Sequence, residues 1–78
     1  MENIKEFDRI ILTVDLPKAG LKSGDIGNVV MIYNNGEGFE VEFMTFDGKT
    51  ISVETLSASQ IRKISRHEIP HVREIALN

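Results

Sequence analysis

The chain has 78 residues, with nine Lys+Arg against 12 Asp+Glu, a formal net charge of −3 and no cysteine. That length fits one domain, which buries only about 60–65% of its unfolded surface, and the missing cysteines exclude disulfide staples and thiolate metal sites. The acidic balance argues against general attraction to phosphate backbones.

The opening segment MENIKEFDR has no apolar core, so no signal peptide is expected. The longest fully apolar runs are only about four residues, far below a membrane span of about 20 residues. A soluble cytoplasmic protein with no membrane partner is the expectation.

Residues 1–7 read as a polar lead-in. Asp8 to Val14, DRIILTV, is rich in β-branched residues and predicts a first strand with Ile10, Leu12 and Val14 on one face. Asp15 to Asp25 is a loop: Pro17 forbids a central strand and glycines punctuate it. Its Leu16 and Leu21 are expected to fold back onto the core. Gly27 to Tyr33 predicts a second strand, and Asn34 to Gly38 a turn tolerant of positive φ.

Phe39 to Phe46 predicts a third strand, with Phe39, Val41 and Phe43 inward and Glu40 and Glu42 toward water. Asp47-Gly48 is a strong hairpin signal. A fourth strand is predicted from about Lys49 to Leu56, with Ile51 and Val53 inward and Ser52 and Glu54 outward. Ser57 to Gln60 suits a 3₁₀-like turn, and Ile61 to Ile64 a short fifth strand. The prediction is mainly β: a small five-stranded antiparallel SH3-like barrel, closed or nearly closed, over about residues 7–64. Pro70 breaks any helix through the tail, 65–78, whose conformation stays open. Residues 1–78 are read as one domain.

No residue set points to catalysis. His67 and His71 are four apart, but Pro70 lies between them and zinc needs three or four ligands. Ser57 and Ser59 have no oriented base. The glycines do not fit a phosphate loop and are read as turn punctuation. Tyr33, Phe39 and Phe46 suggest a base-stacking platform, against which their acidic neighbours argue. No enzyme, metal or cofactor is expected.

Charge is unevenly placed. Between Gly24 and Glu54 the only basic residue is Lys49. Glu40, Glu42 and Glu54 are expected to form an acidic outer face, joined by Glu37 and by Asp15 and Asp25 of the first loop. These six are the candidate partner-binding residues, and their charge suits a basic protein partner. Ile11, Met31, Met44, Val72, Ile75 and Leu77 leave a homodimer open.

Taken together, DRIILTVDLPKAGLKSGDIGNVVMIY, GEGFEVEFMTFDGKT, LSASQIRKI and HVRE resemble a small bacterial and cyanobacterial family, domain of unknown function number four-nine-two-six. The resemblance rests on Asp15-Leu16-Pro17, on the turn Gly24 to Gly27, on Val41-Glu42-Phe43 and on His71-Val72-Arg73. Asn28 stands where a small β-branched residue is usual. The G-D-x-G-x-V core is shared by KOW-type and other SH3-like barrels, including ribosome-associated modules and a nitrile hydratase subunit.

The resemblance implies an SH3-like barrel and supplies no catalytic residue. It also suggests a partner of a neighbouring gene product, of antitoxin or immunity type. The alternative is a KOW-like RNA- or ribosome-binding module, which would draw a basic stripe from Lys18, Lys22, Arg62, Lys63 and Arg66.

Overall fold

A computed structural model describes residues 3–76. Five antiparallel strands form one sheet: β1 (Arg9–Leu12), β2 (Ile26–Tyr33), β3 (Gly38–Met44), β4 (Thr50–Ser57) and β5 (Ile61–Lys63), in the order β4-β3-β2-β1-β5. A 3₁₀ turn, Pro17–Ala19, lies in the first loop, and another, Ala58–Gln60, joins β4 to β5. The mainly β prediction and its element order hold, and the order is consistent with an SH3-like arrangement. The expected closure does not hold. β4 and β5 are the two edges and carry no ladder to each other, so the barrel is an open, curled sheet.

One face of the sheet wraps the core. Ile10, Leu12, Leu21, Val29, Phe39, Val41, Phe43, Leu56 and Ile61 form a single buried cluster drawn from all five strands and the first loop. A single sheet brings its first and last strands to one cluster only by bending. Two irregularities assist. Between Val29 and Met31 the β2–β3 register shifts, so Val30 is an extra residue and both Val30 and Met31 are exposed. Between Met44↔Thr50 and Phe43↔Ser52, Ile51 is the extra residue on β4.

The second bulge corrects the predicted facing of β4. Directly opposed antiparallel residues share a face, and Glu54 is opposite buried Val41 while Val53 is opposite Glu42. Val53 therefore points outward, 51% exposed, and Glu54 lies on the core side. An uninterrupted two-residue alternation from Ile51 misses this, because Ile51 enters the core margin through the bulge.

The third strand is also shorter than predicted. Thr45 N–H donates to Lys49 O and Gly48 N–H to Thr45 O, closing the hairpin two residues earlier. Phe46 consequently sits at the hairpin tip, 95% exposed.

One glycine reading needs correcting too. Gly36 and Gly48 have positive φ, as turns require, but Gly27 lies within β2 and is buried. A Cβ there would sit 2.6 Å from Val41 Cγ1 and 2.8 Å from Phe43 Cε2. Gly27 is empty space that the Phe43 ring fills. Gly27→Ala is expected to destabilise the fold by about 1–3 kcal/mol through overpacking. Urea unfolding measures this; a midpoint unchanged within error contradicts the packing account.

Candidate functional site

The first loop is built by its own polar groups. Leu16 and Leu21 pair through both backbone hydrogen bonds, at 2.9 and 3.1 Å. This turns Leu21 into the core and lays Leu16 and Ala19 against it, as expected for the two leucines. Asp15 Oδ1 accepts from Ser23 N–H at 2.9 Å, and Asp25 Oδ2 from Lys22 N–H at 2.8 Å. Both aspartates therefore serve the loop's own shape.

Asp25 also holds the tail. Arg73 Nε donates to Asp25 Oδ1 at 2.8 Å, and Arg73 Nη2 donates to Asp25 Oδ2 at 2.6 Å and to Gly20 O at 3.0 Å. Tail residues 64–76 form no regular element, yet this forked contact ties them to the first loop. Burial pushes the Asp25 carboxyl up. The Arg73 and Lys22 hydrogen bonds and charges outweigh it, and the net shift is below the ordinary value of 3.8. The same contact raises Arg73. Earlier in the tail, Arg62 forks onto Glu68 at 2.9 and 2.7 Å. That guanidinium, with the Ser65 N–H, pulls the Glu68 carboxyl down to about 2.

Glu40 and Glu42 share the outer face of β3. Glu40 accepts a hydrogen bond from the Thr55 hydroxyl, and Glu42 Oε2 accepts from Thr50 Oγ1 at 2.6 Å. Two threonines of β4 thus hold the carboxylates against the sheet, half-buried, with no ion pair among the described residues. Glu37 is exposed in the β2–β3 turn at the same end as Gly38. Glu54 does not join them. It lies on the other side of the sheet, lining an open groove with Leu16, Pro17, Lys18 and Ala19.

The six predicted carboxylates therefore divide. Glu37, Glu40 and Glu42 occupy the outer face and its adjoining turn, while Asp15, Asp25 and Glu54 belong to the first-loop side. The aromatic trio is dispersed as well: Phe39 is buried at 3%, Tyr33 is partly exposed, and Phe46 is at the far hairpin tip. Sequence reasoning missed two features, the Arg73 latch and the apolar groove. A lone arginine far along the chain gives no pairing signal, and the groove exists only where the loop folds beside β4.

His67 lies in a short turn and His71 in irregular backbone, both exposed. Among the described residues, no group of three or more His, Cys, Asp or Glu is arranged to hold a metal ion, and no helix is long and apolar enough to cross a membrane. Of the apolar residues set out for a homodimer, Ile11 is half-buried, and Met31, Met44 and Val72 are exposed. Ile75 lies close to Gly20, and Leu77 is outside the described residues.

The model of one family, domain of unknown function DUF4926, matches residues 6–63. The chain belongs to this family. The match ends on the last residue of β5, so the tail piece His71-Val72-Arg73 lies beyond it. No curated protein and no solved structure matches the chain.

The latch has a signed pH dependence. A carboxyl depressed in the folded state stabilises above its unfolded pKa and loses that contribution as pH falls through the folded one. Hydrogen exchange of residues 64–76 is expected to accelerate as pH falls below 3.8, after correction for intrinsic rates. Arg73→Ala is expected to raise that exchange already at pH 7 and to cost the domain about 1 kcal/mol or less. Unchanged tail exchange in the variant contradicts the latch.

Proposed function

We propose that this chain is a non-enzymatic protein-interaction module whose partner is a basic protein. The observation that supports this best is the β3–β4 outer face, where two half-buried carboxylates are held in place by hydroxyls and enter no ion pair among the described residues. Held charges of one sign steer an oppositely charged protein and favour its docking. Glu40 and Glu42 lie on one open face and each accepts a hydrogen bond from a threonine hydroxyl, which favours a binding role. The antitoxin- or immunity-type role, toward the product of a neighbouring gene, is the finer form of this reading. An acidic face can stand in for nucleic-acid phosphates at such a partner's basic surface.

The RNA-binding alternative needs Lys18, Lys22, Arg62, Lys63 and Arg66 as an uncompensated stripe. Arg62 is forked onto Glu68, and Lys63 Nζ lies 3.8 Å from Asp8 Oδ2. Two of the five thus face carboxylates of the chain itself, which weakens that reading.

Co-expression with the product of the adjacent gene is expected to give a complex that co-elutes at low salt and weakens as salt rises. Glu40→Lys with Glu42→Lys is expected to weaken it at least about tenfold, mainly through association rate. Separate elution at low salt contradicts the reading. Salt-dependent retention on RNA at about 50 mM salt supports the alternative instead.

A further inference from the structure

The two edges of the sheet are unlike. β5 offers three residues to an added strand, and its cations Arg62 and Lys63 are engaged with Glu68 and Asp8. β4 offers eight residues, and no described strand pairs with its far side. Among the described residues, no backbone hydrogen bond outside the β3–β4 ladder involves positions 50–56. Natural edges are ordinarily guarded by Lys, Pro, bulges or short length. β4 reads TISVETLS, with no Lys, Arg or Pro, and its bulge at Ile51 leaves the strand regular from Ser52 onward.

Beside the core side of this edge lies the open groove, about 480 Å³, lined by Leu16, Pro17, Lys18, Ala19 and Glu54. Glu54 accepts one hydrogen bond, from Ser52 Oγ at 2.8 Å, and enters none of the ion pairs among the described residues. Lys18 also lines the groove but makes no ion pair with Glu54 among the described residues, so this largely apolar groove with its carboxylate suits one side-chain chemistry well. The aliphatic stem of a Lys or Arg lies along Leu16, Pro17 and Ala19 while its cation meets Glu54.

We propose that β4 is a docking edge for an extended segment of the basic partner, which adds to the sheet as a sixth strand and places a Lys or Arg in the groove. This rests on the interaction reading above and states how the partner is held. Main-chain hydrogen bonds to β4 supply affinity, and alternate side chains supply specificity. The residue opposite Glu54 shares its face and is basic. The residue opposite Val53 falls on the outer face, where half-exposed Val53 favours an apolar neighbour. The recognised segment therefore alternates basic and apolar residues with a period of two.

The test uses the full chain, isotope-labelled, with end-blocked heptapeptides alternating valine with lysine or valine with glutamate. The lysine peptide is expected to shift amides of residues 52–56 and 16–19 saturably and to slow exchange along β4. Glu54→Gln is expected to weaken it about tenfold, as loss of a charge-assisted bond should. Val53→Lys is expected to abolish binding while the free protein keeps its spectrum, because Val53 is already exposed. Glu6→Gln, an equal loss of charge outside the groove and the outer face, is expected to change it less than about twofold.

No saturable shift by about 1 mM peptide overturns the proposal. So do equal binding of the glutamate peptide, shifts confined to Glu40 and Glu42, and a free protein already paired with a second copy through β4. The edge and the broader reading also separate on the natural complex. If it tolerates Val53→Lys and Glu54→Gln but not Glu40→Lys with Glu42→Lys, the interaction role stands and the docking edge falls.

Discussion

The fold depends on a side chain that is not there. At Gly27 the inner surface of β2 is bare backbone, and the Phe43 ring and the Val41 methyl occupy the space a Cβ would need. Val41 and Phe43 are on β3, and Gly27 faces Ile10 of β1. Three adjacent strands therefore meet at one point. The core cluster among the described residues holds nine buried side chains with a partly buried fringe, so it has little room to absorb a misfit there, since protein interiors pack near crystal density.

With so little interior, much of the polar work falls to loops. Asp8, Asp15, Asp25 and Thr45 each accept a hydrogen bond from a backbone N–H three to eight positions away. These short-range staples satisfy loop amides that would otherwise depend on solvent. The acidic residues thus have two employments. The loop aspartates shape turns, whereas Glu40 and Glu42 spend their hydrogen bonds on threonines and enter no ion pair among the described residues.

Much of the architecture could be read from local pattern. The alternation Phe39, Val41, Phe43, the Asn-rich turn and the 3₁₀ turn before Ile61 all lie in consecutive residues and match the structure. What escaped depends on contacts across the sheet. The Ile51 bulge flips every later residue of β4 relative to simple alternation, and its one hint in TISVETLS is Leu56, out of phase with Ile51 and Val53. Gly27 resembles its turn-forming neighbour Gly24 in sequence, yet only the Phe43 ring distinguishes its task. The six carboxylates could be picked from the sequence but not placed on surfaces, because the flip sends Glu54 to the opposite side from Glu40 and Glu42.

The Arg73–Asp25 contact also makes the two ends of the domain thermodynamically reciprocal. Whatever orders or frees residues 64–76 changes the first loop by the same free energy, and the converse holds. The loop and the tail are 48 positions apart at this contact, and the family match stops before the tail begins. A ligand that draws Arg73 away from Asp25 therefore reaches, through one guanidinium, the loop that flanks the groove.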